Sequence, residues 1–205
     1  MPDEKVLGVI YDTSYLMLDK CLDIKLLVGI AGCWKEKRNW YGRIDRESSD
    51  ATRLISVVQV VPKPVAEEIR GHFKDEEKHK SARRARKRVA SIVERGGLEI
   101  DVANVVPASS DAILGADSET DRRVIAYAIQ MVRTDWSAAV VATDDGGILY
   151  DMVKLRKDGI PVFGFANDRV RQFGEFVSTI PGNGWSCGIS SSYHFHDLIE
   201  SCGLH

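Results

Sequence analysis

Residues 138–165 constrain the fold most, because AAVVA, TDDGG, an apolar helical pattern and IPVFGF follow one another there without interruption. Five consecutive apolar residues without polar alternation mark a strand covered on both faces, the usual condition in a parallel sheet. A parallel neighbour requires a crossover of about a dozen residues, and Ile148 to Lys157 supplies a helix of that kind. The segment is therefore a strand, an acidic loop, a helix and a strand. In such a sheet the C-terminal ends of the strands form the rim at which ligands bind, so Asp144 and Asp145 emerge on that rim.

The same order recurs upstream. Val6, Leu7, Val9 and Ile10 make a first strand, and Asp12, Thr13 and Ser14 arrive where it should stop. Tyr15 to Ile30 reads as a helix, with Thr13 or Ser14 as its cap. Leu54 to Val61 is a second strand, after which Pro62 and Pro64 open a helix whose first turns hold Glu67 and Glu68. Val65 and Ile69 mark the core side of that helix, and Glu68 lies beside their stripe. A basic helix follows from Lys74 to Arg95, with Ala82, Ala85, Val89, Ile92 and Val93 on its apolar side. Leu98 to Val106 is a third strand, and DRRVIAYAIQMV forms a helix with Asp121 or Thr120 as its cap. These readings predict an α/β fold with three α/β/α layers around a mainly parallel sheet of about five strands.

A chain of 205 residues with 44% apolar content suits one domain with insertions. The domain is expected over 1–166, with a loop or lid at about 33–53 carrying Trp34, Trp40 and Tyr41, and a C-terminal extension over 167–205 that is packed on it or partly flexible. No apolar run is long enough to span a bilayer, and the N-terminus is charged, so a cytoplasmic protein without membrane contact is expected. The four cysteines have no short paired spacing and read as free thiols. His194, His196 and His205, with Cys187 and Cys202, lack the spacing of a zinc site and read as ordinary histidines. A net charge of -2 exerts no global pull on nucleic acid, yet Arg83, Arg84, Arg86, Lys87 and Arg88 crowd one helix. That block is either a solvated face or a phosphate-binding surface.

Four separated segments thus deliver acid to one rim: Asp12, Glu67 or Glu68, Asp121, and Asp144 or Asp145. Each has an ordinary explanation as a helix cap, a first-turn acid or a turn residue. Together they repel one another unless a cation offsets them, and donors that are oxygen alone suit Mg²⁺ or Mn²⁺ rather than zinc. The natural chemistry of such a cluster is metal-assisted phosphoryl transfer.

In this order the motifs resemble those of the PIN domain nucleases, over about Val6 to Phe165. DTS is similar to the family's opening signature, which implies Asp12 as a metal ligand and Ser14 as a supporting hydroxyl. VPKPVAEEI implies Glu68, DRRVIAYA implies Asp121, and VVATDD implies Asp145 with Thr143 in support, leaving Asp144 in the variable place beside the metal. The resemblance implies a Mg²⁺- or Mn²⁺-dependent ribonuclease that leaves a 5′-phosphate and a 3′-hydroxyl, with Arg83, Arg84, Lys87 and Arg88 holding the RNA. A homo-oligomer is left open, and an antitoxin-like partner enters only by analogy with the family. Residues 143–165 also resemble the related NYN nucleases. A haloacid dehalogenase-like phosphatase would want a second aspartate where Ser14 stands, a dinucleotide enzyme would want GxGxxG after the first strand, and a non-catalytic RNA-binding module has no need of four repelling acids.

Overall fold

The computed structural model of the chain describes residues 5–19, 55–106, 115–166 and 189–190. The expected lid at 33–53 lies outside these residues, as does the 167–205 extension with its histidines and cysteines, except for 189–190.

Six parallel strands form one sheet. They are β1 (Lys5–Tyr11), β2 (Ile55–Pro62), β3 (Leu98–Ile100), β4 (Ala138–Ala142), β5 (Val162–Phe165) and the two-residue β6 (Ile189–Ser190), in the order β3-β2-β1-β4-β5-β6. Five helices accompany them among the described residues: α1 (Thr13–Met17), α2 (Lys63–Gly71), α3 (Glu76–Glu94), α4 (Glu119–Thr134) and α5 (Gly146–Lys157).

Strand alternation divides the apolar residues between two faces. Leu7, Val9 and Tyr11 of β1 join Val140 of β4 and Phe163 and Phe165 of β5 on one face, where Tyr15, Leu16, Val65, Ile69, Ala82 and Ala85 cover them. Ile10, Val60, Ala139, Val141 and Val162 face the other way, against Val124, Ile125 and Ala128 of α4 and Ile148, Met152 and Leu155 of α5. The fold is therefore three-layered, with α1, α2 and α3 on one side and α4 and α5 on the other. Gly8 lets the second layer close: a Cβ there would lie 1.9 Å from the ring of Trp136, which is buried against the sheet.

The chain runs outward in one direction from β1 to β2 and β3, and in the opposite direction from β4 to β5 and β6. The reversal lies between β1 and β4, which pair from Leu7↔Ala138 to Tyr11↔Ala142. At such a switch point the flanking loops part above the sheet and leave a crevice. Asp12 and residues 143–145 stand at that place.

Several elements differ from the sequence expectation. The helix expected over Tyr15–Ile30 starts at Thr13, is capped by Asp12 and stops at Met17, with Leu18 in an extended conformation. Arg88 donates to the carbonyls of Leu16, Leu18 and Asp19, taking acceptors that a continuing helix would use. The third strand ends at Ile100 rather than Val106, because the Asp101 carboxylate accepts the Ala103 N–H at 2.8 Å and turns the chain. The α4 cap is Ser118, neither Thr120 nor Asp121, and the fifth strand starts at Val162. A 3₁₀ turn at His72–Lys74 separates α2 from α3, and Val93 of α3 is exposed.

Candidate metal centre

Asp12 is where β1 becomes α1. Its backbone N–H donates to the Ala142 carbonyl at 2.9 Å, which carries the β1–β4 pairing one residue past the strand. The side chain is only 6% exposed, so its hydrogen bonds decide its state. Oδ2 accepts from the Ser14 hydroxyl at 2.5 Å, the Thr143 hydroxyl at 2.9 Å and the Ser14 N–H at 3.2 Å. With both hydroxyl protons directed at Asp12, the two oxygens accept in turn: Ser14 Oγ from the Asp144 N–H at 2.8 Å, and Thr143 Oγ1 from the Asp145 N–H at 3.0 Å. Two backbone donors of the acidic loop are thus linked through two hydroxyls to one carboxylate oxygen. The Thr13 N–H adds a further hydrogen bond to the Asp12 carboxylate.

Asp145 and Asp121 are also held by backbone donors. Asp145 caps α5, with Oδ1 accepting from the Gly147 N–H at 2.7 Å and the Ile148 N–H at 3.2 Å. Asp121 closes a capping box: its Oδ2 accepts the Ser118 N–H at 3.3 Å while its own N–H donates to Ser118 Oγ at 3.0 Å. In Asp145 the second carboxylate oxygen takes no hydrogen bond from the described residues, while the Asp121 carboxyl is bonded by both the side chain and the backbone of Ser118. The ordinary role of each as a cap is therefore real, and in Asp145 it uses only one oxygen.

Glu68 is held from two sides. Thr13 Oγ1 donates to its Oε2 at 2.7 Å, and His72 Nε2 stands 3.5 Å from Oε1. Asp12, Thr13, Ser14, Glu68, Asp121 and Asp145 line one hollow of about 580 Å³, which Met17, His72, Glu77, Lys78, Ser81 and Ser118 complete. Glu67 and Asp144 are not among its lining residues.

Burial first, and the neighbouring acids after it, raise the carboxyls of Asp12, Asp121 and Asp144. Burial pushes the Asp12 carboxyl above the usual aspartate range, against the Ser14 and Thr143 hydroxyls, and Asp121 adds to the rise. Burial also raises Asp121 against its bonds to Ser118, with Asp145 and Glu68 adding to it. Asp144 is pushed up to about 6, first by burial and then by Asp145 and Asp12. Among the described residues no lysine, arginine or histidine forms an ion pair with Asp12, Asp121, Asp144 or Asp145. Nor do any three His, Cys, Asp or Glu side chains of these residues come close enough to clasp one ion in this arrangement. The donors are nevertheless all oxygen, and Asp12, Glu68, Asp121 and Asp145 line one hollow. That chemistry fits a hard divalent cation.

Two features of the centre have no signal in the local sequence. Asp151 of α5 is fully buried and accepts the Gly115 N–H at 3.0 Å and the Ala116 N–H at 2.8 Å, so α5 anchors the segment that leads into α4. Gly147 and Gly115 touch there, since a Cβ on Gly147 would lie 2.0 Å from the Gly115 carbonyl oxygen. This fixes the N-termini that carry Asp121 and Asp145 against each other. Lys78 was also not singled out by the sequence, because lysines on a charged helix are too common to stand out, and Thr13, read there as a possible helix cap, instead donates to Glu68.

The basic helix divides by face. Arg88 holds the carbonyls of Leu16, Leu18 and Asp19, and Arg84 pairs with the Asp19 carboxylate and donates to Ser81 Oγ. These two of the four expected RNA contacts hold down the segment that follows Asp12. Arg83 and Lys87 lie on another face, beside Phe73. No helix of the described residues is long and apolar enough to cross a membrane. The chain matches no protein-family model and no curated protein.

Proposed function

We propose that the chain is a divalent-metal-dependent ribonuclease of the PIN-like kind, hydrolysing RNA phosphodiester bonds in the hollow between β1 and β4. One observation carries this reading: Asp12, Asp121 and Asp145, each held by backbone or hydroxyl donors, line a single hollow, and among the described residues no lysine, arginine or histidine pairs with any of them. An acid used only as a cap has no need of two such companions.

Asp12, Asp121 and Asp145 would hold Mg²⁺ or Mn²⁺, with Glu68 as a fourth carboxylate and Asp144 beside them. A bound ion of this type supplies charge neutralisation at the phosphate and a lower pKa for the attacking water. The chain contributes positioning. Ser14 and Thr143 fix the Asp12 carboxylate and tie it to the backbone of the acidic loop. Thr13 keeps Glu68 turned into the hollow, and Lys78 places a cation on the same wall for a non-bridging phosphate oxygen. Ser14 spends its proton on Asp12, so it is unsuited to the acid role that a dehalogenase-like phosphatase requires of this position.

The test is labelled single-stranded RNA with Mn²⁺, with Mg²⁺ and with EDTA, beside Asp145→Asn. Cleavage that needs metal and is lost in the variant is the expected result. RNA that stays intact with every metal, or cleavage that survives Asp145→Asn, overturns the proposal.

A further inference from the structure

The acid hollow uses one flank of α3, through Glu77, Lys78 and Ser81. A second hollow, of about 470 Å³, lies along the opposite flank, lined by Phe73, His79, Arg83, Arg86, Lys87 and Ala90. At 3.6 residues per turn, residues 79, 83, 86, 87 and 90 share one stripe, roughly half a turn from 77 and 81. Phe73 reaches this stripe from the 3₁₀ turn between α2 and α3. The His79 ring stands edge-on to it at 5.2 Å, and the Arg86 guanidinium lies over it at 5.9 Å.

The charge of this hollow is unbalanced. Among the described residues, Arg83, Arg86 and Lys87 form no ion pair, although Arg84 and Arg88 on the adjoining face are both occupied by Asp19 and nearby carbonyls. Three cations at i, i+3 and i+4 on one helix repel one another, so an anionic occupant relieves a cost that the fold itself leaves standing. The aromatic rings narrow the class further. A polyanion that also presents flat π faces is a single-stranded nucleic acid, whose phosphates meet the cations while an unstacked base meets Phe73 or an arginine plane.

From this juxtaposition we infer that the Phe73, Arg83, Arg86 and Lys87 hollow is a second nucleic-acid subsite, which grips a single strand on the flank of α3 opposite the acids. The inference rests on the proposed nuclease reading for the identity of the first site. It adds where the strand goes. The two hollows are separated by about one helix width, roughly 10–12 Å with side chains, so the subsite holds a nucleotide a few positions away from the bond in the acid hollow. Substrates too short to cross α3 gain nothing from it.

The test separates binding from cleavage. Fluorescence anisotropy in EDTA measures affinity of the full chain for a labelled uridine oligomer, for the matching DNA oligomer and for a duplex. Phe73→Ala should weaken single-strand binding about 5- to 150-fold, the range of one lost stacking contact. Arg83→Glu with Lys87→Glu should weaken it further and reduce the slope of log affinity against log salt by about 1.4, at roughly 0.7 per phosphate. Arg133→Glu with Lys157→Glu alters net charge equally on exposed positions elsewhere and should leave the slope nearly unchanged. RNA and DNA strands bound alike mean a subsite for strands in general, whereas preference for RNA means the 2′-hydroxyl is read.

Hydrolysis of a small phosphodiester and of a single strand with Mn²⁺ is followed in the parent and in the Arg133→Glu with Lys157→Glu control, which should match each other; the small substrate reports the acid hollow alone, because it never reaches the second hollow. If the parent hydrolyses neither substrate but the binding results hold, the nuclease reading falls and the subsite stands. If Phe73→Ala and the double charge reversal bind strands like the parent, or if the remote reversals weaken binding equally, the subsite is wrong. Binding of a polyglutamate peptide in place of the strands, lost on the same substitutions, also overturns it in favour of an acidic protein partner.

Discussion

Replacing Asp144 with asparagine should stabilise the metal-free protein at neutral pH. The Asp144 carboxyl rises to about 6 from an unperturbed 3.8, because burial, Asp145 and Asp12 all oppose its charge. Between those values the folded state binds a proton that the unfolded chain has lost. Stability therefore falls as pH rises through about 4 to 6 and stays low above it. A rise of that size in a fully buried carboxyl would correspond to about 3 kcal/mol, but this group is only half-buried and solvent screening reduces the figure to about 1 kcal/mol. Asparagine keeps the shape and removes the charge, so Asp144→Asn should gain about 1 kcal/mol at pH of about 7.5 and match the parent near pH 4. Urea unfolding of both proteins in EDTA across that range is the assay. Asp12 and Asp121 are raised in the same direction and should leave a weaker slope of the same sign in the variant. A variant less stable than the parent at neutral pH, or an unchanged slope, would refute the idea that the acidic loop stores uncompensated repulsion.

Two further substitutions probe the frame. Thr143→Val removes, at a fully buried side chain, a donor to Asp12 and the acceptor of the part-buried Asp145 N–H, so it should cost about 1–3 kcal/mol, measured by urea unfolding. Its effect should be strongly non-additive with Ser14→Ala, since both hydroxyls serve one oxygen. Gly147→Ala should destabilise by about 1–3 kcal/mol in thermal melts despite alanine's helix preference, because the Gly115 carbonyl occupies the space for the methyl group. Gly71→Ala, with nothing within 4 Å of its Cβ position, should be neutral or stabilising in the same melts.

The centre of the fold was legible because its signals are local. AAVVA and VLGVIY are apolar runs of strand length, and Asp12 and Asp144–Asp145 follow them directly, so their place on one rim was legible from spacing, whereas the β1–β4 pairing that makes that place a switch point was not. What escaped was long-range. The early stop of α1 depends on Arg88, 70 residues from Leu18 along the chain, taking carbonyls that local propensity assigns to a helix. The basic block of α3 reads as one surface in sequence, yet its two faces have different work: Arg84 and Arg88 clamp the chain after Asp12, while Arg83, Arg86 and Lys87 border an aromatic hollow. Asp151 looks like a surface acid on an amphipathic helix until the Gly115 and Ala116 N–H groups are brought to it from 35 residues or more away. Ser118 was hidden by Thr120 and Asp121, both equally good caps by type.

The central claim is that Asp12, Asp121 and Asp145, three carboxylates with no cation partner among the described residues, make a divalent-cation site, and electron paramagnetic resonance of Mn²⁺ titrated into the metal-free protein tests it most directly. The parent should bind Mn²⁺ with loss of the free-ion signal, and Asp12→Asn combined with Asp145→Asn should abolish that binding while the protein stays folded by circular dichroism. Mn²⁺ bound equally well by the folded double variant, or by neither protein, would contradict the account.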